Sequence, residues 1–183
     1  MAIKDILLQL TSYPEPTAGA AIEQAVRFAQ AAGARIAALA CEIMIRVPVT
    51  VVASALGDLR GIIAAEHHKS SANARSLIET FESAAKKHGV AYEHYIETCE
   101  NSQVPDIVTE YARLSDVTMI PLSEQVTFQR SIAETALFGS GRPTIVFPGS
   151  SERRCVRRLR YDWSGMGLQP GGGARGRGCA PAS

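Results

Sequence analysis

The segment Asp116–Pro148 decides the fold class, and it reads DVTMIPLSEQVTFQRSIAETALFGSGRPTIVFP. Two short apolar runs, Val117–Leu122 and Thr144–Phe147, flank a stretch with helical spacing over 128–138. Neither run alternates between apolar and polar residues, which is typical of strands covered on both faces of a parallel sheet. Prolines 143 and 148 bound the second run, because proline cannot extend the hydrogen-bond ladder. The segment therefore predicts a strand, a helix and a short final strand.

The same alternation of strands and helices continues through the first 115 residues. Predicted strands cover 3–10, 35–42 and 90–98, and predicted helices cover 18–32, 58–88 and 105–114. The apolar run 43–57 contains Pro48, so we expect a loop that packs over the sheet edge. The order βαβαβαβαβ predicts an α/β fold: a five-stranded parallel sheet with helices on both faces. This pattern leaves the order of the strands in the sheet open.

The composition agrees with one globular domain. The chain has 183 residues, of which 46% are apolar and 20% are charged. It is long enough to bury a core without metals or disulfides. No apolar run reaches the length of a membrane span, and the first residues lack the layout of a signal peptide, so we expect a cytoplasmic location and no membrane partner. The four cysteines lack paired or metal-like spacing, and Cys41 is predicted to be a core residue.

These elements, with their residues, resemble those of the universal stress protein family. The likeness covers about residues 1–148 and rests on the order and spacing of six segments: Lys4–Leu8, Ala32–Ile36, Lys87–Val90, Asp116, Ser131–Glu134 and Arg142–Val146. The resemblance implies a Rossmann-like sheet of the adenine-nucleotide alpha-hydrolase type. It also implies a role in stress response and a homodimer whose last strand, Thr144 to Phe147, pairs across the interface.

The nucleotide-binding members of that family carry an aspartate after strand one and a loop of the form Gly-x2-Gly-x9-Gly-Ser/Thr after strand four. The glycines let backbone N–H groups close on phosphates. Here Thr11 stands at the strand-one position, and the loop Pro121–Gln125 has no glycine but contains Glu124. We therefore expect no ATP binding of the usual kind. Two alternatives remain for Arg130 and Ser131 near the start of the last helix: a residual anion site, or a serine that only caps the helix.

The sequence favours a regulatory or binding module over an enzyme, and no resident cofactor is expected. The alternative is an adenine-nucleotide-binding stress protein with a degenerate phosphate loop and weak ATPase activity. His67 and His68 are adjacent in a predicted helix and point about 100° apart, so they are not expected to bind a metal. No serine, histidine and aspartate arrangement typical of a nucleophilic site is visible in the sequence.

The last part of the chain differs from the rest. Residues 151–183 contain seven arginines, seven glycines and two acidic residues, whereas residues 1–150 carry 12 basic and 16 acidic residues. The domain is therefore predicted to cover 1–149, followed by a disordered tail over 150–183. One interpretation is an Arg-Gly tail that touches nucleic acid. We favour the other, a frameshift near Ser150 that alters a second repeat of a tandem family member, and we expect no nucleic-acid partner.

Overall fold

The computed structural model describes residues 3–44, 59–123 and 127–149. The strands are β1 (Asp5–Leu10), β2 (Arg35–Ile43), β3 (Tyr92–Cys99), β4 (Val117–Leu122) and β5 (Thr144–Pro148). The helices are α1 (Gly19–Ala32), α2 (Leu59–His88), α3 (Val104–Arg113) and α4 (Thr127–Gly139), with a 3-10 turn at Asn101–Gln103. In these ranges, no helix is both long enough and apolar enough to cross a membrane.

The five strands form one parallel sheet in the order β3-β2-β1-β4-β5. In the centre of the sheet, Leu8 of β1 lies opposite Ala38 of β2 on one side and Met119 of β4 on the other. The predicted fold class, a five-stranded parallel sheet between helices, is confirmed. The strand order is new information, and it places β3 and β5 at the two edges.

One face of the sheet packs against α1 and α2. Successive side chains of a strand point to opposite faces, so Ile6, Leu8 and Leu10 all enter this layer. Ile22 and Phe81 bring the two helices onto them, and all five side chains are almost completely buried. This layer is the larger of the two apolar cores.

The opposite face packs against α3 and α4. Leu7 and Leu39 from the strands meet Val108 of α3 and Ile132 of α4, and each is 1% exposed or less. The alternation along β1 thus sends Leu7 to one core and Leu8 to the other. Because both faces are covered in the middle of the sheet, the central strands read as continuous apolar runs.

The boundary between α2 and β3 differs from the prediction, which began the strand at Val90. Gly89 adopts a left-handed conformation with φ of 64°, and the N–H of Val90 donates to Ala85 O across the helix end. This pattern ends a helix and satisfies its last carbonyls. Val90 therefore belongs to the helix cap, and the strand begins at Tyr92.

Several predictions lie outside the described residues. The expected loop over 43–57 is described only at Ile43, which ends β2, and at Met44. The tail 150–183, its disorder and the second-repeat hypothesis also lie outside the described residues.

Candidate functional site

The strand order defines where a ligand site is expected in this fold. From β1 the chain moves outward to β2 and β3, then returns to place β4 on the other side of β1. The connections leave β1 and β4 in opposite directions, so a crevice opens beyond their carboxyl ends. We call this region the switch-point crevice; Thr11, Thr17, Ser123 and Gln129 line it.

A glutamine side chain bridges the switch-point crevice. Gln129 lies in the first turn of α4 and is 4% exposed. Its Nε2 donates to Thr11 Oγ1 at 3.3 Å, beyond the end of β1. Its Oε1 accepts the backbone N–H of Ser123 at 2.7 Å and the Ser123 hydroxyl at 3.2 Å, beyond the end of β4. One amide therefore ties together the two strand ends that would otherwise frame a ligand.

A second set of hydrogen bonds holds Thr11 in place. Its N–H donates to Thr17 Oγ1, and its carbonyl accepts the N–H of Thr17, each at 2.9 Å. Gln9 Nε2 donates to Thr11 Oγ1 at 3.2 Å from below. Gln9 is 2% exposed, and its Oε1 is a buried acceptor that has no hydrogen-bond partner among the described residues. The threonine hydroxyl is thus held by both glutamines.

Two small cavities lie at this end of the sheet among the described residues. A cavity of about 10 Å³ lies beside Thr11 and Cys41, with room for about one water molecule. A second cavity, of about 160 Å³, lies beside Thr17, Ser123 and Gln129. Pockets for drug-sized ligands usually measure about 300–1,000 Å³. Neither cavity is large enough for a nucleotide.

A hydrogen bond just after β5 also links the strand ends at this edge of the sheet. The N–H of Gly149 donates to Leu122 O at 2.6 Å, which holds the two strand ends together. A Cβ atom at Gly149 would lie 3.1 Å from the same carbonyl oxygen, closer than nine in ten such contacts. A larger residue at this position would therefore need the two strand ends to move apart by a few tenths of an ångström.

The two residues that the sequence singled out, Arg130 and Ser131, lie on the outer surface of α4. Arg130 Nε donates to Glu134 Oε1 at 2.8 Å, one turn further along the helix, and 76% of its side chain is exposed. Ser131 is exposed and is the fifth residue of α4, so it does not cap the helix. An anion site at this pair stays a prediction. Of the predicted loop, Ser123 lies in the crevice, whereas Glu124 and Gln125 fall outside the described residues.

The sequence reasoning missed Gln9 and Gln129. A signal existed for the first, since Gln9 is a polar residue inside the otherwise apolar run Ile6–Leu10. A polar side chain in a buried strand usually has a hydrogen-bond partner, and here Gln9 Nε2 donates to Thr11 Oγ1. The role of Gln129 was not visible, because its partners Thr11 and Ser123 depend on which strands are neighbours.

Two thiols lie near the same end of the sheet. Cys41 of β2 and Cys99 of β3 are both buried and free, and their side chains hydrogen-bond each other. The bond to Cys99, together with burial, raises the pKa of the Cys41 thiol, and the same bond lowers the pKa of Cys99. The expectation that Cys41 is a core residue is confirmed by its 5% exposure.

A metal centre does not emerge from the described residues, since they contain no group of three or more His, Cys, Asp or Glu side chains that could hold an ion. His67 is half-buried and His68 is exposed on α2.

Comparison with known proteins places the fold. No family model matches the sequence, and no curated protein matches it significantly. Solved structures of universal stress proteins do match. A family member from Burkholderia pseudomallei has a TM-score of 0.53 at 17% identity, over 80% of this chain and 97% of its own. UspA from Lactobacillus plantarum has a TM-score of 0.55 at 13% identity, over 80% of this chain and 98% of its own.

A third match is an Arabidopsis thaliana family protein with AMP bound. Its TM-score is 0.53 at 15% identity, and the match covers 81% of this chain and 93% of that protein. At such identities the similarity establishes the fold alone. The chain has the α/β fold of the universal stress proteins.

Proposed function

We propose that this protein is a stress-response module of the universal stress protein type that acts by binding and assembly and does not use ATP in the way of its nucleotide-binding relatives. The observation that carries the proposal is the Gln129 amide between Thr11 and Ser123. It ties Ser123, the residue that directly follows β4, to Thr11 at the end of β1. A cytoplasmic location is part of this proposal.

The chemistry of the crevice supports this view. Phosphate groups are held by several backbone N–H groups that converge on one point. Here the Ser123 N–H donates to Gln129 and the Thr11 N–H donates to Thr17, so neither is free for a ligand. A nucleotide would have to displace both bonds and the buried glutamine. That cost favours a crevice with a structural role.

The test is the thermal midpoint of the full chain with and without millimolar Mg-ATP or AMP. A ligand at about 100 times its Kd stabilises a protein by about 2.7 kcal/mol, which shifts the midpoint by several degrees. We expect no shift with either nucleotide. A shift that saturates with concentration would overturn this part of the proposal.

The assembly part of the proposal concerns the edge strand β5. Among the described strands, β5 pairs with β4 alone, and Val146 is 48% exposed on it. A strand edge with free backbone groups and an exposed apolar side chain can pair with a second copy. We propose a homodimer through Thr144–Phe147, with the two last strands side by side.

Analytical ultracentrifugation of a matched pair of variants tests the dimer. Val146→Asp places a charge on the β5 edge, and Ile96→Asp places the same charge on β3 at the opposite edge, where Ile96 is 38% exposed. We expect the wild type and Ile96→Asp to be dimers and Val146→Asp to be a monomer. A monomeric wild type, or dimers in all three, would argue against this interface.

A second candidate is weak binding of adenine nucleotides with weak ATP hydrolysis. The hydroxyl groups of Thr17 and Ser123 favour it, because they line the cavity of about 160 Å³, which would have to widen to admit a nucleotide. The AMP-bound Arabidopsis protein shows that the fold is compatible with such ligands. A thermal shift with AMP, together with phosphate release from ATP above the buffer rate, would favour this candidate.

The tandem-repeat hypothesis for the region after Ser150 also remains a proposal. Resequencing the coding DNA tests it, because an unbroken reading frame through 153–160 would exclude the frameshift.

A further inference from the structure

A larger cavity lies at the other end of the sheet from the switch-point crevice. Its volume is about 420 Å³, within the range of small-molecule sites. It lies over the first halves of β1, β2 and β3 and beside the carboxyl end of α3. We call it the tyrosine cavity; its apolar and aromatic lining includes Leu7, Ala37, Tyr95, Tyr111 and Leu114.

The two tyrosines form an aromatic wall. Their ring centroids are 5.0 Å apart and their planes are inclined by 50°. Tyr95 is 36% exposed, and Leu114 is 83% exposed at the mouth. Ala37, a small side chain on β2, leaves the floor of the cavity open. The described structure thus exposes apolar and aromatic surface in a concave site instead of burying it.

Both tyrosine hydroxyl groups already donate their hydrogen to a carboxylate. Tyr95 donates to Glu93 Oε2 at 2.8 Å, and Tyr111 donates to Glu97 Oε1 at 2.6 Å. The neighbouring carboxylates raise the pKa of Tyr111 to about 12 and also raise the pKa of Tyr95. Each phenol oxygen can therefore only accept a further hydrogen bond, and a ligand must supply the donor.

The charges around the cavity are mostly negative. Arg35 forms an ion pair with Asp5 and lies 3.6 Å from Glu93. Two carboxylates therefore lie beside this one guanidinium, and the Glu97 carboxylate accepts the Tyr111 hydroxyl on the neighbouring wall. The Ser115 hydroxyl donates to the backbone oxygen of Tyr111 at 3.4 Å, so it too has only an acceptor left. Apart from Arg35, the polar side chains that line the cavity offer hydrogen-bond acceptors and negative charge.

We propose that the tyrosine cavity binds a small organic cation, an ammonium group on an aromatic or aliphatic body. The ammonium would contact the faces of the tyrosine rings and the Glu93 carboxylate, where cation–π and ionic attraction act together. The apolar body would cover Leu7, Ala37 and Leu114. Phosphate-bearing ligands are disfavoured here, because their charge has the same sign as the surrounding carboxylates.

The first experiment compares three probes of nearly equal size on the full chain by ligand-observed NMR titration. Phenethylamine carries the ammonium, phenylacetate carries a carboxylate on a similar body, and 2-phenylethanol is neutral. We expect phenethylamine to bind with a Kd of about 1–10 mM, as befits so small a ligand. Phenylacetate should bind at least about tenfold more weakly. Equal affinities, or no binding of phenethylamine, would overturn the proposal.

Two variants locate the binding to this cavity. Glu93→Gln should weaken phenethylamine about tenfold and leave 2-phenylethanol unchanged, whereas Glu110→Gln, an exposed glutamate on α3 outside the cavity, should change neither. Ala37→Leu fills the floor with apolar atoms and should abolish binding of both ligands. Because Glu93 is 54% exposed, its substitution leaves the core intact. Wild-type affinity in Ala37→Leu would contradict the assignment.

Discussion

At the scale of single residues, a buried amide supports the proposal that this chain does not bind ATP in the usual way. Gln129 links the ends of β1 and β4 through Thr11 and Ser123. Such a link is stable only if each polar atom keeps its partner, since an unpaired buried group costs more than a hydrogen bond contributes. Specific hydrogen bonds of Gln129 therefore hold the two strand ends together across the crevice.

This closure predicts the effect of removing the amide. Gln129→Ala leaves the Ser123 N–H and the Thr11 hydroxyl without this partner, and we expect a loss of about 1–3 kcal/mol in the free energy of unfolding. Gln24→Ala makes the same change at an exposed position of α1 and should stay within about 0.5 kcal/mol of wild type. Urea unfolding measures both. Equal losses in the two variants would mean that the amide has no structural role.

The ion pairs of Glu23 predict a pH dependence at the same scale. Its carboxylate lies 2.7 Å from His88 Nε2 and 2.9 Å from Lys87 Nζ. These bonds, the one to His88 first, lower the pKa of Glu23 from 4.5 to about 2. The folded state therefore binds this proton less readily than the unfolded chain. The stabilisation is complete above about pH 4.5 and disappears as the pH falls through about 2.

Urea unfolding of Glu23→Gln and wild type at pH 5.5, 4 and 3 tests this window. The difference in unfolding free energy between the two proteins should be largest at pH 5.5 and shrink toward pH 3. Glu110→Gln, on the exposed surface of α3, controls for the general effect of removing a negative charge. A difference for Glu23→Gln that stays constant across the three pH values would contradict the prediction.

At the scale of elements, local sequence patterns predicted the helices and strands, because these depend on interactions between residues close in sequence. The apolar runs of β4 and β5 and the helical spacing of α4 follow from backbone periodicity. Strand order depends on contacts between distant segments, such as Asp116 accepting the N–H groups of Lys4 and Asp5. No periodicity encodes these contacts. The crevice network and the tyrosine cavity were missed for the same reason.

The end of α1 gives a prediction for an element. Gly33 has φ of 64°, and a Cβ added there would meet no atom within 4 Å. The cost of Gly33→Ala is therefore backbone strain alone, about 1–2 kcal/mol. Gly33→Asn should cost less, because asparagine tolerates the left-handed conformation better. Urea unfolding should rank the proteins as wild type, Asn, then Ala; an Ala variant as stable as wild type would refute the strain.

At the scale of the whole molecule, the two faces of the sheet are unequal. The α1 and α2 layer buries its apolar side chains almost completely, and Phe81 there is 0% exposed, edge-on to Tyr92 at 5.9 Å. The α3 and α4 layer covers the sheet only in part and leaves the tyrosine cavity open beside Tyr95. We infer that the face covered by α1 and α2 stabilises the fold, whereas the face with the tyrosine cavity can bind a ligand.

This division predicts different costs for two aromatic truncations on the same sheet. Phe81→Ala should lose about 3–5 kcal/mol, because it leaves a cavity in a closed core. Tyr95→Ala should lose about 1 kcal/mol, because its ring already faces solvent at the cavity and water fills the space it leaves. Since small domains are stable by about 5–15 kcal/mol, urea unfolding resolves both values. Equal losses for Tyr95→Ala and Phe81→Ala would contradict this prediction. They would mean that the Tyr95 side chain is part of the structural core and that packing explains its position without a ligand.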